Sequence, residues 1–363
     1  MSQHFHALTI AAVTPDTDVA VRVRLAITDD LRDAFAYRPG QHLTLRRTIA
    51  GTELRRTYSI CSGPGERDLT ITVKRIPGGL VSGHINDTFK AGDVVDVMAP
   101  SGRFVLPQSD GRPRTCLAVA AGSGITPVIA MIRHLLDGEP SSRFVLLFGN
   151  RDVGSILFRE NLEDLKDRHL DRLVVAHVLS RGDGEAEVPL LAGRIDAAKI
   201  AALVPRLVDP AEIAHAFLCG PGSMAKEAMN ALQGLGVPRE RIHFEFFVRG
   251  AEPVVQRPEP AASTPAATAE AVTEAVLVID GVRHRIEMRP GEAIIDAAIR
   301  SGVNAPYSCK GGMCCTCRAK LLEGEADMQQ NYSLEPWEIE RGYILTCQSV
   351  PRTARVVVDY DDV

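Results

Sequence analysis

The spacing of four cysteines near the C-terminus restricts the fold of this chain more than any other feature. Cys309, Cys314 and Cys317 follow a C-x₄-C-x₂-C pattern, and Cys347 comes 30 positions after Cys317. In this spacing four thiolates hold one [2Fe–2S] cluster. Two glycines between the first two cysteines let the backbone wrap closely around inorganic sulfur and direct N–H groups at it. The pattern therefore predicts a [2Fe–2S] cluster, with these four cysteines as its metal ligands.

Two other interpretations of these cysteines stay open at this point, namely a structural zinc site and a group of reduced thiols. Four-cysteine zinc sites usually use two close pairs, whereas Cys347 stands apart from the others. Cys315 leaves the spacing intact, and we interpret it as a non-ligand. Five of the eight cysteines fall within the last 55 residues. Without a secretory segment, such a local group favours metal binding over disulfides.

A stretch rich in Ala, Pro, Glu and Thr divides the chain at residues 250–274. It contains almost no large apolar residues, so it cannot bury enough surface to offset the entropy of ordering, and we predict a linker. A chain of 363 residues is long enough for several domains. We expect these domains at residues 1–110, 111–249 and 275–363.

Each expected domain has its own hydrophobic pattern. The first contains short alternating runs, such as residues 69–73, which predict an antiparallel β-barrel. The second alternates short apolar runs with helical segments, which is typical of an α/β parallel sheet covered by helices. The third begins with a hairpin that turns at Asp280-Gly281, followed by a helix over 292–300 and a strand over 354–359. We therefore expect a multi-domain protein whose last domain is an α+β domain of the β-grasp type.

Charge and hydropathy exclude several classes of partner. The net charge is −5, and the absence of a long basic run argues against nucleic acid. No apolar run approaches the length of about 18 residues that predicts a membrane span. Residues 1–12 lack the basic and apolar regions of a secretory signal. We therefore expect a cytoplasmic protein with neither nucleic acid nor membrane as a partner.

Two segments of the first domain resemble the flavin-binding motifs of the ferredoxin–NADP reductase superfamily. Arg56-Thr57-Tyr58-Ser59 resembles its R-x-Y-S motif, in which the Arg contacts the flavin diphosphate and the Tyr packs on the flavin. Val73-Lys74 and the following Gly79-Leu80-Val81-Ser82 resemble its second flavin segment, where N–H groups and the Ser meet the diphosphate. An Arg that forks onto phosphate and a flat aromatic ring suit such a ligand. The resemblance implies bound FAD.

Gly122-Ser123-Gly124-Ile125-Thr126-Pro127 resembles the nicotinamide-binding motif of the same superfamily. It follows a predicted strand and opens a helix, so its glycines allow close backbone approach and the helix N-terminus faces a pyrophosphate. Pro127 suits the first helical turn. The resemblance implies that Gly122, Gly124, Thr126 and Pro127 contact the dinucleotide, with Thr126 near the flavin–nicotinamide junction.

Cys219-Gly220-Pro221-Gly222-Ser223-Met224 resembles the C-G-P-x-x-M turn of these reductases, whose Cys lies beside the hydride-transfer locus. Gly220, Pro221 and Met224 are thereby candidate cofactor contacts. Glu245-Phe246 resembles the E-x-F segment that closes the domain. The candidate catalytic residues are Cys219, Thr126 and Glu245. The alternatives are that Cys219 is a small buried apolar residue and that the strand around Glu245 belongs to the core.

Ser180-Arg181 follows a predicted strand, at the place where NADPH-using relatives put residues for the 2′-phosphate. An Arg can pair bidentately with that phosphate, and no acidic residue stands there to favour the ribose of NADH. The resemblance therefore favours NADPH over NADH, with an ordinary surface arginine as the alternative.

The order of the domains is that of oxygenase reductases in aromatic catabolism, and further segments resemble the reductase subunits of phenylacetyl-CoA epoxidases. These segments are residues 148–151, 158–160, 308–312, 331–336 and 342–348. The resemblance implies that electrons pass from NADPH through FAD and the [2Fe–2S] cluster to a separate di-iron oxygenase subunit in phenylacetate degradation. Protein groups would then position cofactors and tune potentials. The alternatives are a reductase of another aromatic-ring dioxygenase or monooxygenase, and a redox-sensing module.

Overall fold

The computed structural model describes residues 4–181, 188–247 and 273–362. They form two compact units, the larger drawn mainly from residues 6–247 and the smaller mainly from residues 273–362. The expected linker at 250–274 lies outside the described residues except for Thr273 and Glu274. These two residues begin a β-strand over Thr273–Ile279, whose sequence pattern indicated a start at residue 275. No helix in the described ranges is both long and apolar enough to cross a membrane.

The first part of the larger unit is a six-stranded antiparallel β-barrel, as the alternating short runs predict. Its strands are β1 (Phe5–Thr17), β2 (Ala20–Leu25), β3 (His42–Ile49), β4 (Thr52–Ser59), β5 (Leu69–Lys74) and β6 (Val94–Met98). Neighbouring strands follow the order β4-β3-β6-β1-β2-β5. Ile60, directly after β4, bridges Ile71 of β5 and so joins the two ends of that order. Val23, Leu25 and Ile71 are fully buried inside, because alternate side chains of a strand share one face.

A helix of nine residues, α1 (Leu80–Thr88), follows β5 and was not expected from the sequence. It buries Val81 and Ile85 against the barrel. A helix this short spans only about two and a half turns, too few to display a clear apolar period. Its first turn coincides with the second flavin-like segment.

The second part of the larger unit is a five-stranded parallel sheet with helices on both faces. The strands are β7 (Thr115–Ala121), β8 (Arg143–Asn150), β9 (Leu173–Leu179), β10 (Ile213–Gly220) and β11 (Ile242–Phe246), and the helices are α2 (Ile125–Gly138), α3 (Arg159–Arg168), α4 (Ala197–Leu207) and α5 (Gly222–Gly234). The strand order is β11-β10-β7-β8-β9. Helix α4 was missed, because Pro205 interrupts its apolar period. The predicted α/β architecture is confirmed.

One end of the barrel packs against the parallel sheet. The rings of Phe104 and Phe217 meet edge to face, with centroids 5.8 Å apart. Arg133 of α2 donates to the carbonyl oxygen of Cys61 at 3.1 Å. The buried carboxylate of Asp16 accepts from the backbone N–H of Phe158 at 3.1 Å. These contacts hold the end of the barrel against the parallel sheet.

The smaller unit is an α+β domain with the β-grasp arrangement that the sequence predicts. Its strands are β12 (Thr273–Ile279), β13 (Val282–Met288), β14 (Arg318–Glu323), β15 (Ala326–Met328), β16 (Tyr343–Leu345), β17 (Ser349–Pro351) and β18 (Arg355–Asp359), and its helices are α6 (Ile294–Arg300) and α7 (Pro336–Glu340). The main sheet has the order β13-β12-β18-β14-β16. Helix α6 starts two residues later than expected, because the side chain of Glu292 accepts from Arg289 N at 2.9 Å and closes a turn there.

Candidate functional site

The four predicted cluster ligands lie in two neighbouring loops of the smaller unit. Cys309, Cys314 and Cys317 precede β14, and Cys347 lies between β16 and β17. The sulfurs pair through hydrogen bonds, Cys309 with Cys314 and Cys317 with Cys347. Within the described ranges, no three Cys, His, Asp or Glu side chains converge as they would around one metal ion. Each pair would supply the two thiolates that one iron atom of a [2Fe–2S] cluster takes from the protein.

The loop favours the thiolate form that iron binds. Gly311 N–H donates to Cys309 Sγ at 3.3 Å. The hydrogen bond from Cys314, together with backbone N–H donors, lowers the pKa of Cys309 to about 5. In the other pair, the hydrogen bond from Cys317 lowers the pKa of Cys347. In each pair the lowered pKa of one thiol favours the thiolate, which is the form that ligates metals.

Close wrapping of the loop depends on left-handed backbone conformations. Lys310, Gly312 and Cys315 have φ angles of 52°, 75° and 54°. A Cβ on Gly312 would lie only 2.8 Å from the carbonyl oxygen of Gln330. Glycine is therefore needed at 312 for both torsional and steric reasons. Cys315 packs as a partly buried residue against the hydrophobic core of the unit, consistent with its interpretation as a non-ligand.

A buried hydroxyl chain supports the same loop from behind. Tyr360 donates its hydroxyl to Thr346 Oγ1 at 2.9 Å, and Thr346 donates to the carbonyl oxygen of Cys317 at 3.0 Å. Tyr360 and Thr346 are 2% and 0% exposed. Sequence patterns did not reveal these two hydrogen bonds, because Tyr360 follows β18 and contacts Thr346 only in the folded domain. The paired sulfurs, directed N–H groups and buried support fit a [2Fe–2S] cluster.

The first flavin-like segment occupies the end of β4. The Arg56 side chain is exposed, and its Nη1 donates to the carbonyl oxygen of Arg55 at 2.7 Å. Thr57 and Tyr58 are half-buried, and Ser59 is 4% exposed. An anionic ligand can therefore reach the Arg56 guanidinium. Part of the Tyr58 ring is accessible to a flat ligand such as a flavin.

The second flavin-like segment separates into a buried and a reachable part. Val73 is fully buried in β5, and its carbonyl oxygen accepts from Asn86 Nδ2 at 3.1 Å. Its side chain therefore serves the barrel core. Lys74, the last residue of β5, points toward the nicotinamide-like turn, since a Cβ on Gly122 would lie 3.9 Å from Lys74 Nζ.

The Gly79-Leu80-Val81-Ser82 segment forms the first turn of α1. Ser82 Oγ accepts from Ile76 N at 3.1 Å and donates to Gly79 O at 3.3 Å. A Cβ on Gly79 would lie 2.6 Å from Ser82 Oγ. Val81 is buried, whereas Leu80 is 66% exposed. The Ser82 hydroxyl therefore holds its own turn together.

The nicotinamide-like turn and the cysteine turn meet at the carboxyl edge of the parallel sheet. A Cβ on Gly124 would lie 2.1 Å from the carbonyl oxygen of Cys219. Gly220 has a φ of 150°, and its Cβ would lie 3.0 Å from Met224 Cε. Pro221 is half-buried and Met224 is 7% exposed. The glycines thus allow the turns after β7 and β10 to approach within van der Waals contact.

Two residues of the nicotinamide-like motif lie inside the turn. Thr126 is 3% exposed, and its hydroxyl donates to the carbonyl oxygen of Ser123 at 2.9 Å. Pro127 is also buried. Thr126 therefore fixes the shape of the turn, and the surface that a nucleotide would meet is formed by Gly122 and Ser123.

Ser180 and Arg181 form the turn after β9, on the same edge of the sheet. Their N–H groups donate to the carbonyl oxygens of Asn150 and Arg151 at 3.0 and 2.7 Å. Both side chains are exposed. The ends of β7, β8 and β9 are adjacent, so a dinucleotide on the glycine turn can extend toward Arg181.

Cys219 and Glu245 are register partners on β10 and β11. Complete burial raises the pKa of the Cys219 thiol well above its usual value, and the charge of Glu245 adds to this. Across the junction with the barrel, His42 Nδ1 of β3 lies 3.8 Å from Glu245 Oε1. Sequence reasoning missed His42, because no local motif indicates that β3 meets β11.

Three family models match the chain in the order of its domains. They are an oxidoreductase FAD-binding domain over residues 9–106, an oxidoreductase NAD-binding domain over residues 118–230, and a 2Fe-2S iron-sulfur cluster binding domain over residues 277–352. These matches confirm the predicted cofactors FAD, a nicotinamide nucleotide and a [2Fe–2S] cluster.

Similarity to individual proteins extends over nearly the whole chain. One subunit of the 1,2-phenylacetyl-CoA epoxidase from Escherichia coli K12 is 41% identical over 98% of both chains. The ferredoxin reductase component of 3-ketosteroid-9-alpha-monooxygenase from Rhodococcus rhodochrous is 35% identical over 97% of this chain and 96% of that protein. Among solved structures, phthalate dioxygenase reductase covers 98% of both chains with a TM-score of 0.59 and 24% identity, which supports the fold.

Proposed function

Because this chain belongs to the family of FAD- and [2Fe–2S]-containing reductase components of oxygenases, we propose that it supplies electrons from NADPH to a di-iron phenylacetyl-CoA epoxidase. The similarity to a component of the E. coli epoxidase over nearly the full length supports this acceptor. None of the eight cysteines forms a disulfide, which suits the reducing cytoplasm where we place the protein.

Bound FAD would supply a hydride acceptor for the nicotinamide and a one-electron donor for the [2Fe–2S] cluster. The residues of the chain bind and orient these groups. Arg56 and the first turn of α1 would hold the FAD diphosphate. The turn at Gly122 and Ser123 would bind the pyrophosphate of NADPH. The Lys74 ammonium lies beside this turn.

The proposal rests chiefly on the close approach of the Gly124 turn to Cys219. The same chain also holds four cysteine sulfurs in two hydrogen-bonded pairs. The strand order reverses between β7 and β10, and ligands of open α/β sheets bind at such a reversal. The same chain thus supports a two-electron donor site and a one-electron acceptor site, as an oxygenase reductase requires.

The proposal is tested by substituting this protein for its 41%-identical relative in the E. coli epoxidase. The remaining components of that epoxidase, phenylacetyl-CoA, oxygen and NADPH are mixed, and the epoxide is measured by mass spectrometry. Epoxide formation should depend on this protein and on NADPH. Rapid NADPH-dependent cytochrome c reduction without epoxide would instead favour a reductase of another aromatic-ring dioxygenase or monooxygenase. Slow turnover with every artificial acceptor would favour a redox-sensing module.

Arg181→Ala is expected to weaken the use of NADPH while sparing NADH. A charged hydrogen bond to the 2′-phosphate contributes about 1.5–3 kcal/mol, so KM for NADPH should rise by about 10- to 100-fold. Steady-state cytochrome c reduction with each nucleotide measures the effect. Arg206→Ala, which removes an exposed arginine of α4, is the matched control. Equal changes of KM for NADPH and NADH would exclude a 2′-phosphate role.

A further inference from the structure

A buried ion pair connects the strand that follows the cysteine loop to helix α7. Arg318, the first residue of β14, comes directly after Cys317. Its Nε lies 2.9 Å from Glu338 Oε1 of α7, and the two side chains are 10% and 0% exposed. A carboxylate removed from solvent needs a partner of opposite charge. None of the flavin, nucleotide or cluster motifs accounts for this pair.

Arg318 contacts a third element as well. Its guanidinium carbon lies 3.7 Å from the ring centroid of Tyr343 on β16, a cation–π contact. Its Nε–H makes no hydrogen bond within the described ranges, so charge attraction holds it beside the carboxylate. Glu338 Oε2 accepts from Glu335 N at 2.9 Å, at the start of α7. Arg318 therefore joins β14, β16 and α7.

These elements carry two of the predicted cluster ligands. Cys317 immediately precedes β14, and Cys347 comes two residues after β16. Thr346 donates its N–H and its hydroxyl to the carbonyl oxygen of Cys317, at 3.1 and 3.0 Å. Because Cys317 and Ala319 face the core of the unit, Arg318 between them points to the opposite face of the sheet. The ion pair thus braces, from that face, the segments that Thr346 joins.

The charges of the pair bear on the cluster in opposite senses. Reduction adds one negative charge to a [2Fe–2S] cluster, and its potential depends on the net charge around it. Arg318 attracts the added charge and Glu338 repels it, so the intact pair brings no net charge. We propose that the Arg318–Glu338 pair sets the reduction potential of the cluster, with both members acting as positioning residues for its Cys317–Cys347 side. This role requires the predicted cysteine ligands but no particular oxygenase.

Two variants that each remove one charge test this role by the sign of their effects. Glu338→Gln leaves the guanidinium uncompensated, so the reduction equilibrium should shift about tenfold toward the reduced cluster, a rise of about 59 mV for a one-electron couple. Arg318→Gln leaves the carboxylate, and a shift of similar size should occur in the opposite direction. Arg318→Lys keeps the charge but loses the planar stacking on Tyr343, so its potential should stay near wild type. Redox titration of the cluster-loaded proteins, followed by EPR, measures these shifts.

Lys320→Gln is the matched control on the same strand. Lys320 Nζ lies 5.6 Å from the Tyr343 ring centroid and 2.6 Å from Asp362 Oδ2. This second pair is 32% and 44% exposed, so salt and water screen it, and its loss should leave the potential unchanged. A merely structural pair would give shifts of one sign in Glu338→Gln and Arg318→Gln, or none. Either result, or an equal shift in Lys320→Gln, would overturn the assigned role.

The double variant Arg318→Gln with Glu338→Gln decides the matter where a single variant fails to keep its cluster. Removing one member leaves a buried charge unpaired, whereas removing both does not. The double variant should therefore hold at least as much iron and sulfide as either single variant, with a potential close to wild type. Less cluster than in both single variants would contradict the role of the pair. Absence of a cluster from the wild-type protein would instead refute the predicted cysteine ligands.

Discussion

Replacing Cys347 with serine is expected to abolish [2Fe–2S] assembly and to reduce cytochrome c reduction by more than about 100-fold. Loss of a residue that only orients a metal ligand typically costs 10- to 100-fold, and Cys347 is a predicted ligand whose sulfur is paired with that of Cys317. NADPH-to-ferricyanide activity should remain largely intact, since the FAD-binding and NAD-binding family matches cover residues 9–106 and 118–230, outside the cysteine-rich domain. Iron and sulfide analysis together with both assays measures the result.

Cys315→Ser is the matched control for this experiment. Cys315 lies in the same loop and has a left-handed φ of 54°, but we interpret it as a non-ligand. Its serine variant should keep the cluster and both activities. Retention of the cluster in Cys347→Ser, or its loss in Cys315→Ser alone, would mean that the ligands have been misassigned.

Gly124→Ala is expected to produce the second large effect, at the donor end of the electron path. The new Cβ would lie 2.1 Å from the carbonyl oxygen of Cys219, and neither backbone segment can rotate away as a side chain could. The turns after β7 and β10 must then separate. Overpacking of this kind destabilises a fold by about 1–3 kcal/mol, and a displacement of about 1 Å between reactants can slow a reaction by about 100-fold. Single-turnover flavin bleaching by NADPH should fall by about that factor.

Gly138→Ala provides the control at the other end of the same helix. A Cβ there meets no atom within 4 Å, so its melting temperature should equal or slightly exceed that of wild type. FAD content is measured in both variants, because loss of flavin would also slow bleaching. An FAD-loaded Gly124→Ala protein that bleaches at the wild-type rate would show that the two turns need not touch.

Features that depend on the spacing of residues close together in the sequence could be predicted. The cysteine pattern indicated the [2Fe–2S] domain, and the alternation of short apolar runs indicated the barrel and the parallel sheet. Family models and relatives confirm the fold class, the cofactors and the reductase function. The individual flavin, nucleotide and cluster contacts, and the domain boundaries, stay predictions.

Features that depend on distant segments could not be predicted. The pairing of His42 with Glu245 requires the barrel to meet β11, and the support of Cys317 by Thr346 and Tyr360 requires the β-grasp sheet to close. The motifs also did not indicate which of their side chains are buried. Val73 stays a predicted cofactor contact, and its side chain fills the barrel core, because a motif records residue types and not the direction of each side chain.

The visible absorption spectrum of the purified protein, before and after anaerobic addition of NADPH, tests the electron path most directly. We expect flavin bands together with a reddish-brown thiolate–iron envelope, both of which bleach with NADPH. A colourless protein, or flavin bands alone after anaerobic iron–sulfur reconstitution, would show that the paired cysteines hold no cluster.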